Sequence, residues 1–142
     1  MPRTVSTARS SSILGIPMES RLLGASVLAM LFGVPHVVED FAFGIHTRFG
    51  VPLLALASVV AVAYAAQVLA AALVARRDRR GYGLSLLLAL VWLVGALVEH
   101  LPDLLFTWPY RSGWISKGLE AGLMAATASW AALAAAGLRR AA

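Results

Sequence analysis

No cysteine occurs among the 142 residues. That excludes a disulfide, a thiolate metal ligand and a cysteine nucleophile, and it leaves the redox compartment unread. Charge is scarce as well: 13% of residues are Asp, Glu, Lys or Arg, with only seven acids. A soluble chain of this length needs far more polar surface to cover its core. Glycine-rich phosphate loops are missing, so nothing points to a nucleotide enzyme. Ser10, Ser11 and Ser12 stand in a polar leader with no partners for nucleophilic work.

What the chain has in abundance is apolar sequence. Mean hydropathy is +0.80, and 60% of residues are hydrophobic. Four long apolar segments run at about 22–45, 51–75, 83–106 and 114–138. Each is near or above the length of about 20 residues that crosses a hydrocarbon core at 1.5 Å per residue. Backbone polar groups must be satisfied inside lipid, so these segments are expected to be helices. Breakers fall between them: Gly50 with Pro52, Gly81 with Gly83, and Pro109 with Gly113. Such short links predict an all-α integral membrane protein, a four-helix antiparallel bundle in a single domain over 18–142. Residues 1–17 read as a disordered basic leader, with Met18 a candidate start.

Basic residues set the orientation. Nine of them (Arg3, Arg9, Arg21, Arg76, Arg77, Arg79, Arg80, Arg139 and Arg140) fall on one side; Arg48, Arg111 and Lys117 fall on the other. That asymmetry predicts both termini in the cytoplasm of a multi-pass protein of the cell (inner) membrane. It also accounts for the net charge of +5 without nucleic acid. The expected partners are the lipid bilayer and a lipophilic small molecule. Small-residue runs such as Ala134-Ala135-Ala136 also permit a second copy or a larger membrane complex.

The remaining charges gather at the non-cytoplasmic end. Glu39, Asp40, Glu99, Asp103 and Glu120 are there, with His36, His46 and His100. Helical spacing puts His36, Glu39, Asp40 and Phe43 on one face of the first segment, and Trp92, Gly95, Glu99 and Asp103 on one face of the third. Lys117, Glu120, Met124 and Thr127 make a comparable stripe on the fourth. Ionisable groups inside a span are costly and are functional candidates by default. A weak repeat at an offset of 60 aligns Phe32 with Trp92 and Glu39 with Glu99, and so places those two acids at similar depth.

Carboxylates in different surroundings separate into an acid and a base. Glu39, Glu99, Asp40, Asp103, His36 and His100 are therefore the expected catalytic groups, with Phe32, Phe43, Trp92, Glu120 and Met124 around the substrate. Pro35 is expected to bend the first helix below His36, so that Glu39 faces Glu99 and the two share a proton. Isomerisation, cyclisation or epoxide opening on a lipophilic molecule fits such a pocket and needs no cofactor. Glu120, nearer water, is expected to matter less, and Trp108, Tyr110 and Trp114 read as an interfacial aromatic belt. The four-helix layout and the His36-x-x-x-Asp40 spacing resemble the sterol-isomerase and sigma-2-receptor type of membrane protein; the match covers one short motif, and no residue role is taken from it.

Three alternatives use the same residues. His36, Glu39, His100 and Asp103 form two His/carboxylate pairs suited to a transition metal. A proton-coupled transporter would relay protons through the acids and histidines, although few titratable groups continue the path toward the cytoplasm. An accessory subunit would present them to a partner.

Overall fold

The computed structural model describes residues 15–108 and 110–140. The expected leader, apart from residues 15–17, lies outside the described residues, as does Pro109. Five helices follow in order: α1 (Met18–Ala42), α2 (Ile45–Arg48), α3 (Leu53–Ala75), α4 (Arg79–Phe106) and α5 (Trp114–Arg140). No strand occurs among the described residues. Four of the helices (α1, α3, α4 and α5) are long and apolar enough to cross a membrane, which makes this a multi-pass membrane protein by length and composition.

The boundaries differ from the sequence expectation where local chemistry intervenes. α1 runs through Pro35 and stops at Phe43, because Gly44 takes a left-handed φ of 77° that a glycine tolerates at no steric cost. One turn, α2, then carries the chain across to α3. At the far end of α3, the Arg77 and Asp78 amides donate to the Val74 and Leu73 carbonyls, closing the helix with Arg77 at φ 59°. Asp78 caps the next helix at once, its carboxylate accepting from the Arg80 amide at 2.9 Å. Gly81-Tyr82-Gly83, expected to be a turn, is therefore inside the first turns of α4. Gly81 is needed there for another reason: a Cβ would lie 2.6 Å from the Val74 amide nitrogen of α3.

α5 packs on both α1 and α4, and α4 also packs on α3. The contact between α1 and α3 is the slightest among the long helices. The buried residues of α3 are Gln67, Ala70 and Val74, all in its second half. There Gln67 Nε2 donates to the Ser26 carbonyl at 3.0 Å and reaches the Ser26 hydroxyl at 3.1 Å, closing the α1–α3 seam. A core of Trp130, Tyr82, Leu22 and Val74 fills that end of the molecule. The outer surface is apolar throughout, with Leu54, Val62, Val98 and Phe106 all exposed, as lipid-facing positions must be.

The two ends of α1 are tied to opposite links. Glu19 lies 3.5 Å from Arg77 in the α3–α4 link, whereas Asp40 accepts from Arg111 in the α4–α5 link.

Candidate functional site

Where the first half of α3 stands away from α1, a cavity of about 280 Å³ opens. Leu56 and Val60 of α3, Val91 of α4 and Phe41 of α1 give it apolar walls, and Trp92 lies on its border with its ring 5.1 Å from that of Tyr64. Gly95 also lines it. Its polar wall is made by His36, Asp40, Glu99 and His100. A cleft with apolar sides and a few convergent polar groups is the usual form of a small-molecule site.

At that wall α1 and α4 bring two imidazoles together. His36 Nε2 lies 3.1 Å from His100 Nε2, with the rings almost perpendicular at 86°. Asp40 Oδ2 is 3.3 Å from His36 Nε2 and 3.6 Å from His100 Nε2. Its other oxygen, Oδ1, accepts from Arg111. On the far side of His100, Glu120 Oε1 stands 3.4 Å from Nδ1 and accepts from the Tyr110 hydroxyl. His36, His100, Glu120 and Tyr110 are all buried, Glu120 completely.

The α4–α5 link holds this cluster from outside the spans. Burial pushes the Tyr110 phenol well above its ordinary range, and the Glu120 carboxylate beside it adds to the effect, so Tyr110 stays a donor. Burial opposes the Arg111 charge, but the hydrogen bond and charge of Asp40 outweigh it and raise its pKa. Tyr110 and Arg111 are thus fixed in their protonated forms.

Several sequence expectations need correction. Glu39 and Glu99 are not paired: Glu39 Oε1 accepts from Ser116 of α5 at 2.5 Å, while Glu99 meets Arg48 of α2 at 2.7 Å. Adjacent residues on a helix point about 100° apart, so the face that turns His36 and Asp40 toward α4 turns Glu39 toward α5. It is Asp40, not Glu39, that completes the cross-helix centre. Asp103 lies outside it, accepting from Thr107 at 3.0 Å and standing 4.0 Å from Arg48. The metal quartet His36, Glu39, His100 and Asp103 is therefore not assembled.

Around the cavity, Trp92 is in place and Leu123 of α5 lines it, while Met124, the next residue, does not. Phe32 packs against α5 instead, where a Cβ on Gly122 would fall 2.5 Å from its ring. Phe43 caps α1 and is exposed, with the Arg111 guanidinium 5.9 Å from its ring. Glu120 is the most buried of the acids rather than the wettest, and Lys117 leaves it alone, donating to the Leu104 carbonyl at 2.7 Å. Trp108 and Trp114 are exposed as an interfacial belt requires, but Tyr110 is a buried hydrogen-bond donor.

The residues that sequence reasoning missed are Tyr110, Arg111 and Ser116. Two signals pointed to them. Five acids faced three cations, so any cation in a link was a candidate partner; and Ser116 stands four residues before Glu120, on the same helical face. No protein-family model, curated protein or solved structure matches this chain, and its chemistry is read from its own residues.

Proposed function

We propose that the protein admits a lipophilic small molecule from the bilayer through the α1–α3 seam and carries out acid–base chemistry on it at His36, His100 and Asp40. In this reading the four spans run antiparallel in the inner membrane with both termini in the cytoplasm, an orientation that the distribution of Arg and Lys supports. One observation carries the reading: the mostly apolar cavity ends on two buried imidazoles 3.1 Å apart, beside the Asp40 side chain that Arg111 holds in place.

At a nitrogen–nitrogen distance of 3.1 Å, one ring donates the shared proton and the other accepts it. When a bound molecule parts that hydrogen bond, the accepting ring's Nε2 takes a proton from the molecule and the donating ring's Nε2 returns one elsewhere on it. The proton count of the pair is then unchanged, which is what an isomerisation or cyclisation needs. Asp40 favours the imidazolium that forms in between. Glu99, on the same wall and paired with the half-exposed Arg48, is placed to orient a polar group of the ligand.

Gly95 gives a clean test. It lines the cavity, and a Cβ there would meet nothing within 4 Å, so Gly95→Leu fills the space without striking the backbone. Native mass spectrometry of the detergent-purified chain should show an endogenous lipophilic molecule retained by the wild type and lost from Gly95→Leu. Equal retention by both, or none by the wild type in membranes from its own host, defeats the proposal.

A further inference from the structure

We infer that His36, His100 and Asp40 form a binding site for one divalent first-row transition-metal ion, resting on the proposed cavity-facing role of this centre. The three atoms His36 Nε2, His100 Nε2 and Asp40 Oδ2 make a triangle with sides of 3.1, 3.3 and 3.6 Å. An ion bound tetrahedrally at about 2 Å sets its ligand atoms roughly 3.3 Å apart. The triangle therefore surrounds a point at metal–ligand distance from all three atoms, and no backbone has to move to bind there. The two rings are almost perpendicular, with their Nε2 atoms adjacent.

The surroundings match what a bound ion needs. A metal-binding imidazole usually presents its other nitrogen to a carboxylate, which fixes its tautomer and strengthens it as a ligand. Glu120 stands on that side of His100, 3.4 Å from Nδ1 without a formed hydrogen bond, and is itself held by Tyr110. Glu120 lies close enough to be considered a ligand, since suitable atoms of His36, His100 and Glu120 fall within 4.8 Å of one another. It approaches His100 at Nδ1, however, not at the Nε2 beside His36, so it stands behind the ring and outside the triangle. Arg111 does the same for Asp40, binding Oδ1 and leaving Oδ2 free.

Charge supports the same conclusion. Completely buried Glu120 has no Lys or Arg partner among the described residues, and its Oε2 is unbonded. Buried charges are paired or coordinate metals.

Two imidazoles and one carboxylate with open positions suit zinc or iron(II), and the lack of cysteine removes softer alternatives. All three ligands line the cavity, so the open position faces the small-molecule site. A bound ion would hold both imidazoles through Nε2 and would supply an acidic water at its open position in their place.

The test uses tag-free, chelator-treated full chain in detergent, titrated with Zn²⁺ and Co²⁺. One ion per chain should bind, Co²⁺ should show the visible bands of a four-coordinate site, and X-ray absorption of the Zn²⁺ form should count two imidazoles. His36→Gln and His100→Gln should each abolish these signals. Glu120→Gln should weaken binding about 10–100-fold while preserving the Co²⁺ spectrum. His46→Ala, on α2 outside the cluster, should bind as the wild type does. Should the glutamine variants not fold, the imidazole count on the wild type decides. No uptake, a six-coordinate Co²⁺ spectrum, or fewer than two imidazoles per ion overturns the metal site. Ligand retention that Gly95→Leu abolishes, in a chain that takes up no metal, ends this inference alone. Stoichiometric metal with no retained ligand ends the small-molecule proposal alone.

Discussion

The two ends of this molecule are held by different physics. At the end with Trp130 and Tyr82, helices approach closely over small residues: Gly81 lies against the α3 backbone, Gly137 against the Tyr82 ring, and the seam from α1 to α3 is closed by Gln67. At the other end, α1, α4 and α5 are joined through His36, Asp40, His100, Glu120 and the α4–α5 link, while α3 carries no buried residue before Gln67. Close packing in lipid depends on small residues at the contacts and leaves little space. A polar network needs each group satisfied, and the half of α3 that takes no part in it leaves the cavity beside it. Stability and access are thus assigned to opposite halves of the same four helices.

The sharpest way to break this contrast is to remove the cation that anchors the polar half. Arg111→Met leaves the Asp40 carboxylate, 12% exposed, without its partner. Breaking such a pair costs about 3–5 kcal/mol, and it should appear as a large fall in the midpoint of unfolding by SDS in mixed micelles. The double variant Asp40→Asn/Arg111→Met should recover part of the loss, since no charge is then left buried alone. Additive losses would mean that the two residues act independently.

In the close-packed half, Gly81→Ala sets a Cβ 2.6 Å from a backbone nitrogen that cannot step aside. Overpacking costs about 1–3 kcal/mol, set against the gain of up to about 1 kcal/mol from replacing a helical glycine. A net drop in thermal stability is expected there, whereas Gly95→Ala, with free space around it, should hold or raise it. If both changes raise the melting temperature, the close α3–α4 approach does not exist.

The smallest effect is expected at the closed end of the seam. Gln67→Leu deletes the bonds to Ser26 and should cost about 1 kcal/mol. Its informative readout is hydrogen exchange, which should quicken in the second half of α3 and leave the amides around Trp130 protected. Unchanged exchange would show that apolar packing alone keeps α1 and α3 together.

The sequence by itself determined that there are four membrane-length helices and where, within a few residues, they lie. Length and hydropathy decide that question locally, because lipid forces every apolar segment to satisfy its own backbone. It also placed the acids and histidines at one end, with Glu39 and Glu99 foremost among candidates that included His36, Asp40, His100 and Trp92. Only the tertiary structure decided which of these meet. Glu39 and Asp40 are neighbours in the chain, yet one bonds Ser116 on α5 and the other joins two imidazoles across to α4. Rotation of a helix about its axis costs nothing in hydropathy when the whole surface is apolar, so no sequence pattern fixes it. Packing of α1 on α5 and the contact of His36 with His100 across the bundle do, and the side chains of Tyr110 and Arg111 reach from an apparent surface loop to that polar centre.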